Sequence, residues 1–412
     1  MLAFTFPGQG SQRPGMGRSW VDHPSWELVK EGSELTGIDL THLLIEADAD
    51  ELKHTSNAQI ATFTSSLVVL DAVERLGLSP AYCAGHSLGE YTALVAAGAL
   101  SFEEGVRLVA ERGEAMRLAS EAAPGTMVAL VGLKDDDAEA ACQRAEGDVW
   151  VANYNSPGQV VLAGTEEALE RAIVIAKELG AKKAMRLPVG GAFHTPLMQS
   201  ARPRLRKALS EISFRPPEVP VIANVDARPH RDPESWPGLL SAQLCSPVRW
   251  SQSIKLMHDS GIRVFVELGP GGVLTGLARR IAPSAKGVSV ATPDDLETLI
   301  TVATEGSSSA PFHLTGHGEH LHVTERLVIT PVAGLFEPAQ LDVPHPLERA
   351  RDPSGTNSSF DKGPHVHVGD VIGWASGVEI CSPFAGELIG ILAIPGERLT
   401  EGQPVAWLRA DE

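Results

Sequence analysis

Residues 85–89, Gly-His-Ser-Leu-Gly, constrain the fold of this chain more than any other sequence feature. They lie between a short apolar run over 81–84 and a helix-forming stretch over 91–100. A Gly-x-Ser-x-Gly sequence between a strand and a helix is typical of a nucleophile elbow, in which glycines allow a sharp turn. The serine then stands at a helix N-terminus, where free N–H groups stabilise developing negative charge. The pattern predicts an α/β sheet with Ser87 as a nucleophile; the alternative is a glycine-rich turn with an incidental serine.

The composition narrows the class of protein. A length of 412 residues predicts two or three domains. No apolar run is long enough to span a membrane and no signal-peptide pattern is present, so we expect a cytoplasmic protein without a membrane partner. The four cysteines form no Cys-x-x-Cys pair and are expected to be reduced thiols. A net charge of −18 argues against nucleic-acid binding.

Short apolar runs alternate with amphipathic helical patterns over residues 1–300, which predicts an α/β core. Within this region, residues 126–188 follow a strand-helix-strand-strand-helix-strand order, the ferredoxin-like pattern. Its strands are expected over 126–131, 149–153, 159–164 and 184–189, and later strands of the core over 219–225 and 264–269. We therefore expect the core to comprise residues 1–125 and 189–303, with a ferredoxin-like subdomain inserted between them.

The composition of the sequence changes near residue 304. Residues 304–322 are rich in glycine and serine and contain four histidines: His313, His317, His320 and His322. These histidines could bind a metal, but the segment has no cysteine and only one pair at helical spacing, so a linker without a metal site is favoured. Short strand-like runs separated by glycine and proline then predict a small all-β domain over 323–412.

Six segments of residues 1–300 resemble, in order, the motifs of the malonyl-CoA:acyl-carrier-protein transacylase family. They are FPGQGSQ (6–12), GHSLGE (85–90), VRLVAERG (106–113), NYNSPGQ (153–159), GAFH (191–194) and ELGPG (267–271). The resemblance implies an α/β-hydrolase-like acyltransferase domain with an inserted ferredoxin-like subdomain. It further implies transfer of a malonyl group from malonyl-CoA to the phosphopantetheine thiol of an acyl carrier protein, in fatty acid or polyketide biosynthesis. An acyl-serine intermediate is expected, with no covalently bound cofactor.

A serine hydroxyl needs a base to attack a thioester, and His194 is the best candidate among 14 histidines. It follows a predicted strand and a Gly-Gly-Ala-Phe turn and precedes Pro196; the alternative is an ordinary loop histidine. His86 is expected to be structural or to line the pocket. No acidic residue has the setting of a third triad member. The resemblance implies instead that the backbone carbonyl of Gln243 orients His194, so that the position of Gln243 matters more than its side chain.

Arg112 carries the prediction about the substrate. On a helix over 105–116 it shares a face with Leu108 and Val109, which should point inward. A buried guanidinium can hold the free carboxylate of a malonyl group through two parallel hydrogen bonds. The alternative is an exposed arginine that pairs with Glu111 or Glu104.

The resemblance implies roles for four more pocket residues. The backbone N–H groups of Gln9 and Leu88 would form the oxyanion hole, since both lie in glycine-flanked turns. Gln59 would line the acyl pocket. The ring of Phe193 would crowd an α-methyl branch and so favour malonyl over branched acyl groups.

A basic region beside His194 predicts a docking surface for an acidic carrier protein. Residues 177–215 carry nine basic and two acidic side chains. The alternative is a solvated helix face. The residues expected to contact the carrier are Lys182, Lys183, Arg202, Arg204, Arg206 and Lys207.

The C-terminal segments 366–372, 380–388, 394–399 and 403–408 resemble the two halves of a biotinyl/lipoyl carrier domain. Such domains present a modified lysine at a hairpin tip, but the corresponding segment 374–379 contains none, and no lysine follows Lys362. We therefore expect a barrel-sandwich-like β domain without biotin or lipoate, retained to dock another protein; the alternative is a plain β-rich extension.

Two other functions remain possible from the sequence. The same Ser/His pair would serve a thioesterase that clears acyl groups from a carrier protein. The C-terminal domain would also suit a scaffold in a carboxylase or synthase assembly. The arginine-lined pocket and the basic region favour acyl transfer over hydrolysis. Intact Ser87 and His194 argue against a scaffold role for residues 1–300, but not for the C-terminal domain.

Overall fold

The computed structural model describes residues 1–305, 325–339 and 364–410, apart from 384, 392, 394, 397 and 400–403. The chain divides into two compact units, Met1–Gly316 and His317–Glu412. Residues 306–322 of the predicted linker, with its four histidines, lie outside the described residues.

The first unit alternates strands and helices, as the sequence predicts. Its strands are β1 (Leu2–Phe6), β2 (Tyr82–Gly85), β3 (Thr126–Val131), β4 (Val149–Ser156), β5 (Gln159–Gly164), β6 (Lys183–Arg186), β7 (Val221–Ile222), β8 (Pro229–His230), β9 (Val264–Leu268) and β10 (Lys286–Val290). Its helices are α1 (Glu27–Thr36), α2 (Leu40–Ile45), α3 (Thr55–Glu74), α4 (Gly89–Ala96), α5 (Phe102–Ala122), α6 (Asp135–Ala145), α7 (Glu166–Glu178), α8 (Arg202–Ser210), α9 (Trp236–Gln243), α10 (Trp250–Asp259), α11 (Val273–Ile281) and α12 (Asp295–Glu305). Short 3-10 turns cover Arg18–Trp20, Pro24–Trp26, Glu51–Lys53, Pro196–Ala201 and Pro233–Ser235.

The central sheet has the strand order β10-β9-β1-β2-β7-β8, in which the first five strands are parallel and β8 is antiparallel to β7. Every residue of β1 is buried, as expected of a parallel strand covered on both faces. Phe6 pairs with Gly85 at the carboxyl ends of β1 and β2. Parallel strands end at the same edge of a sheet, so the loop after β1 and the elbow after β2 lie side by side.

Helix α5 carries Arg112 into the core of this unit. A capping box begins the helix, because Ser101 accepts from the N–H of Glu104 and the Glu104 carboxylate accepts from the N–H of Ser101. The helix packs against α3, of which almost every residue is buried. The apolar face of α5 therefore continues the main core, and Arg112 lies on that face.

A second, smaller sheet has the order β4-β5-β3-β6, with all neighbours antiparallel. Helices α6 and α7 pack on it around a separate apolar core. Strands β3 and β5 have the predicted bounds, whereas β4 extends to Ser156 and β6 ends at Arg186. The N–H of Tyr154 donates to the carbonyl of Val248 at 2.9 Å, so β4 is tied to the rest of the unit.

The second unit is built of strands throughout its described part. They are β11 (Glu325–Ile329), β12 (Gly334–Pro338), β13 (His365–Val366), β14 (Val371–Ala375), β15 (Val378–Cys381), β16 (Gly386–Ile391), β17 (Arg398–Leu399) and β18 (Pro404–Ala410). Two four-stranded antiparallel sheets, β11-β18-β16-β13 and β15-β14-β12-β17, enclose an apolar core. Ser376 and Gly377 join β14 to β15 with φ of 49° and 77°, as a tight two-residue hairpin requires.

None of the helices in the described ranges combines the length and the apolar character needed to cross a membrane.

Candidate active site

Ser87 occupies a sharp turn between β2 and α4 that only glycines on either side permit. A Cβ on Gly85 would lie 1.8 Å from the carbonyl carbon of Gly89, and one on Gly89 would lie 2.1 Å from the carbonyl oxygen of Phe6. Ser87 itself has a φ of 53°, a left-handed conformation that is uncommon for residues other than glycine. The turn lifts the serine side chain away from the sheet, at the N-terminal end of α4, in the geometry of a nucleophile elbow.

The structure brings the predicted base to the predicted nucleophile. The Nε2 atom of His194 lies 2.7 Å from the Oγ atom of Ser87, and its Nδ1 atom lies 2.9 Å from the backbone carbonyl of Gln243. A carbonyl only accepts hydrogen bonds, so Nδ1 carries the proton and Nε2 is left free to accept the serine proton. A main-chain carbonyl thus has the position that a carboxylate has in a Ser-His-Asp triad.

The environment keeps the His194 imidazole neutral. Burial, reinforced by the positive charge of Arg112, lowers the pKa of His194 from 6.5 to about 3. His194 is 4% exposed and has a φ of 63°, so its backbone is also held in the left-handed region. A neutral imidazole with a free Nε2 is the form that can take up a proton.

Arg112 is fully buried, and its guanidinium faces the nucleophile. Nη2 donates to Ser87 Oγ at 3.1 Å and to Gln243 Oε1 at 2.9 Å, and Nη1 donates to Gln59 Oε1 at 2.5 Å. The ring of Tyr91 lies 5.1 Å from the guanidinium carbon, in cation–π distance. Among the residues that the structure describes, no carboxylate pairs directly with Arg112. The cation is therefore held in place by neutral acceptors beside Ser87.

The alternative reading of Arg112, as an exposed arginine in a surface ion pair, is wrong in this structure. Its side chain has no exposed surface. Glu111 pairs instead with Arg204 at 2.7 Å, and Glu104 belongs to the capping box and lies 3.5 Å from Arg215.

The backbone N–H groups of Gln9 and Leu88 are the donors that the resemblance implies for an oxyanion hole. In the described part of the chain, neither the N–H of Gln9 nor that of Leu88 donates to a protein acceptor. Gln9 follows β1 and Leu88 follows Ser87, so both come from the edge of the sheet at which the elbow stands. Free donors at that edge are available to an oxyanion.

A cavity of about 450 Å³ opens over Ser87 and His194. One wall is apolar and comes from the smaller sheet and α11, and the polar wall includes His86, whose Nε2 atom lies 2.9 Å from Asn155 Oδ1. Phe193, 5% exposed, lines the cavity beside His194, whereas Gln59 lies behind Arg112 and does not reach the surface of the cavity. His86 thus lines the pocket, and its side chain bonds to Asn155 rather than to Ser87.

Known proteins share this arrangement of fold and sequence. The family described as "Acyl transferase domain" matches residues 3–293. The malonyl CoA-acyl carrier protein transacylase of Bacillus subtilis strain 168 is 42% identical over 317 residues, which are 75% of this chain and 99% of that protein. The corresponding protein of Escherichia coli K12 is 42% identical over 287 residues, 68% of this chain and 92% of that protein. An acyl carrier protein S-malonyltransferase from Vibrio cholerae, solved at 1.7 Å resolution, matches with a TM-score of 0.70 and 41% identity over 72% of this chain and 99% of that one. The chain belongs to the malonyl-CoA:acyl carrier protein transacylase family.

The family membership confirms the resemblance over residues 1–300 and the α/β acyltransferase fold. A further member of the family is a type II polyketide malonyl-transacylase solved in complex with its acyl carrier protein, which matches with a TM-score of 0.70 and 38% identity over 73% of this chain and 99% of that one. The match to the family ends at residue 293 and so does not extend into the C-terminal unit.

The basic residues predicted for carrier docking are exposed or half-exposed but lie on two separate elements. Lys183 begins β6 in the smaller sheet and Lys182 directly precedes it, and the four others are on α8. Arg204 is engaged with Glu111, whereas Arg202 and Arg206 donate to Ser241 Oγ. None of the six lines the cavity, so any contact with a carrier protein would be made outside it.

Two buried side chains at the site were not identified from the sequence. Asn224 accepts from the N–H of Ser87 and donates to the carbonyl of Gly85, both at 2.7 Å, and Glu90 accepts from the N–H of Asn224 at 2.9 Å. The available signal was a polar residue at the carboxyl end of a strand, together with an acid in the first turn of an apolar helix. Burial raises the pKa of Glu90, while the N–H donors at its two oxygens and the charge of Arg112 act in the opposite direction and favour the carboxylate.

The side chain of Gln243 makes more contacts than the sequence analysis expected. Besides accepting from Arg112, its amide nitrogen donates to the carbonyl of Ser87 at 2.8 Å and to Glu90. The backbone carbonyl of Gln243 faces His194, and its side chain links Arg112 to the elbow, so both parts of the residue belong to the site.

Within the described ranges, no group of three or more His, Cys, Asp or Glu side chains is placed to hold a metal ion.

Proposed function

We propose that this protein is an [acyl-carrier-protein] S-malonyltransferase of fatty acid or polyketide biosynthesis, which moves a malonyl group from malonyl-CoA to a carrier-protein thiol through an acyl-Ser87 intermediate. One observation carries the proposal: a fully buried guanidinium, that of Arg112, donates to the nucleophile Oγ at 3.1 Å. Burying a cation is costly unless an anion repays it. An acyl group that ends in a carboxylate supplies that anion at the reacting centre, which neither an acetyl nor a longer alkyl chain does.

In the first half-reaction, Ser87 attacks the thioester carbonyl of malonyl-CoA and gives its proton to Nε2 of His194. The carbonyl oxygen becomes an oxyanion, for which the N–H groups of Gln9 and Leu88 are the proposed donors. The carbon–sulfur bond then breaks, and the coenzyme A thiolate takes the proton from His194. Malonyl-Ser87 remains, and the carbonyl of Gln243 stabilises the transient imidazolium through Nδ1–H.

The second half-reaction runs through the same atoms in reverse order. The phosphopantetheine thiol of the carrier gives its proton to His194 and attacks the malonyl-Ser87 ester. The ester bond to Oγ breaks, and His194 returns the proton to Ser87. The malonyl group leaves on the carrier protein, and the enzyme is restored without a net change in protons.

Arg112 is the proposed partner of the malonyl carboxylate throughout both steps. Its Nη2 atom gives up part of its contact with Ser87 Oγ when the carboxylate arrives, while Gln59 and Gln243 continue to hold the guanidinium. Phe193, on the cavity wall beside His194, is the proposed barrier to an α-methyl branch. The basic residues of β6 and α8 are the proposed carrier-docking surface.

The architecture supports a finer assignment of domains. The smaller sheet has the order β4-β5-β3-β6 and the chain order β-α-β-β-α-β, which supports the proposal of a ferredoxin-like subdomain inserted between residues 1–125 and 189–303. The two antiparallel sheets of the second unit suit a barrel-sandwich domain of the biotinyl/lipoyl type. Its β14–β15 hairpin has Ser376-Gly377 at the tip, where an attachment lysine would stand, so a docking function without a bound group is proposed for it.

Intact-mass spectrometry tests the proposed function. Mixing the protein with malonyl-CoA should add one malonyl unit to it, and subsequent holo carrier protein should remove that unit and carry it. The Ser87→Ala variant should acquire no mass and remain folded. Loading of Ser87→Ala to the level of the unaltered protein would refute the acyl-serine route, and release of free malonate without transfer to the carrier would identify a thioesterase instead.

A further inference from the structure

The nucleophile elbow is held from both sides by side chains distant in sequence. Asn224 holds the N–H of Ser87, and Gln243 holds the carbonyl of Ser87 through its amide nitrogen, at 2.7 and 2.8 Å. Since Ser87 has a left-handed backbone, these contacts stabilise a conformation that costs free energy on its own.

One carboxylate connects these two holding residues. Glu90, 1% exposed, accepts from the backbone N–H of Asn224 through Oε1 and from the Gln243 amide through Oε2. Both of its oxygens are acceptors for N–H donors, so a carboxylate is the group that satisfies both. Glu90 touches neither Ser87 Oγ nor His194, and the reaction proposed above does not use it.

The side-chain amide of Gln243 bonds to both Glu90 and Arg112 and so links them. A guanidinium only donates and a carbonyl only accepts, so the oxygen of the Gln243 amide must face Arg112 and its nitrogen must face Ser87. Glu90 accepts from that same nitrogen of Gln243. The Oε1 atom of Gln243 is therefore directed at Nη2 of Arg112, at 2.9 Å. The chain of contacts runs from α4 to Gln243 and then to the guanidinium on α5.

We propose that Glu90 is a positioning residue for malonyl selectivity: its carboxylate fixes the Gln243 amide, and that amide fixes Arg112 beside the nucleophile. The inference rests on the proposed function, because it assumes that Arg112 binds the substrate carboxylate. Glu90 would thus be a residue outside the cavity that determines how strongly Arg112 binds the carboxylate of the malonyl group.

Glu90→Gln is the sharpest perturbation, since it keeps the shape of the side chain and replaces one acceptor by a donor. The N–H of Asn224 belongs to the backbone and cannot turn, so the oxygen of the introduced amide must remain there. The NH2 group of that amide must then face the NH2 group of Gln243. Gln243 moves away or turns over, and in either case its oxygen no longer faces Arg112. A misplaced guanidinium weakens the hold on a malonyl group and leaves an acetyl group unaffected.

The assay measures kcat/KM with malonyl-CoA and with acetyl-CoA, using the full chain and a holo carrier protein. Coupling within one hydrogen-bond network makes us expect the malonyl-to-acetyl ratio to fall about tenfold in Glu90→Gln. In an Arg112→Ala background the same change should leave the ratio as it is, because the cation that Glu90 positions is gone.

Glu267→Gln is the matched control. Glu267 is also a fully buried carboxylate and accepts from the N–H of Thr275 at 2.7 Å, with no contact to Arg112, Gln243 or Ser87. Loss of its charge should affect the two esters alike and leave their ratio unchanged. If Glu90→Gln does not fold, Gln243→Met replaces it in the test. This substitution removes the side-chain amide that links Glu90 to Arg112 and retains the backbone carbonyl that faces His194. The malonyl-to-acetyl ratio of Gln243→Met must then fall.

The measurements distinguish a failure of the proposed malonyl transfer from a failure of the positioning role of Glu90. An unaltered protein that does not favour malonyl-CoA over acetyl-CoA would overturn the proposed function itself. An unaltered protein that favours malonyl, combined with a Glu90→Gln variant that slows both esters equally, would overturn the positioning role alone.

Discussion

Replacing Arg112 by alanine should convert a malonyl-selective enzyme into one that discriminates poorly. The guanidinium makes three hydrogen bonds, to Gln59, Gln243 and Ser87 Oγ, and pairs with no carboxylate among the described residues. A bound malonyl carboxylate would accept one or two charge-assisted hydrogen bonds from it, each worth about 1.5–3 kcal/mol.

The size of the effect follows from what each ester loses. With malonyl-CoA the variant loses the carboxylate contact, about 2–4 kcal/mol after the displaced bond to Ser87 Oγ is subtracted, which is roughly 30- to 1000-fold in kcat/KM. Acetyl-CoA has no carboxylate and loses only the contact to Ser87 Oγ, worth about tenfold or less. The malonyl-to-acetyl ratio should therefore fall by about one to two orders of magnitude.

The assay compares kcat/KM for the two esters at saturating holo carrier protein. Arg112→Lys is the matched variant: it keeps the positive charge but cannot form two parallel hydrogen bonds, so its ratio should lie between those of the parent and of Arg112→Ala. Thermal unfolding checks that each variant is folded, since the removal of a buried arginine leaves Gln59 and Gln243 without their donor. A ratio that stays at the parent value in folded Arg112→Ala would show that Arg112 does not bind the carboxylate.

Four further predictions concern the base, its pKa, the proposed carrier-docking surface and the second compact unit. His194→Ala should lower kcat on the order of 10²–10⁴-fold, measured by steady-state transfer, and near-normal turnover would mean that another group is the base. Because burial and then the charge of Arg112 depress the pKa of His194 to about 3, the competent neutral imidazole persists down to about that pH; kcat/KM should show no acid limb near 6.5, and a limb at 6.5 would contradict the buried site. Reversing Arg206 and Lys207 to glutamate should raise KM for the carrier protein more at low than at high salt while kinetics with coenzyme A esters stay unchanged, and an effect independent of salt would exclude this docking surface. Deleting residues 317–412, the second compact unit, should leave transfer largely intact, and a folded but inactive product would show that the tail takes part in the reaction.

The local features of this site were accessible from the sequence because they depend on short-range chemistry. Two glycines around Ser87 and a strand before it predict the elbow, since no other residue type fits where a Cβ would lie about 2 Å from backbone atoms. The alternation of apolar runs and amphipathic helices predicts the α/β class in the same way, because strand and helix periodicities are properties of neighbouring residues. The bounds of β3 and β5 agree with prediction for this reason, whereas strand β7 is only Val221–Ile222, shorter than its apolar run, since pairing with β2 rather than propensity decides where it ends.

Only the tertiary structure decides which distant residues meet. His194, Gln243 and Arg112 are separated from Ser87 by 107, 156 and 25 residues, and their proximity arises from the order of parallel strands and from the packing of α5 against α3. The buried link through Glu90 and Asn224 had only a weak local signal, because an acid in a helix and an asparagine after a strand are ordinary surface residues until the fold removes them from water. Sequence by itself determined what chemistry this chain carries, while the burial of Arg112 and the orientation of the Gln243 amide depend on the fold, since hydrogen-bond partners and desolvation are properties of the packed chain.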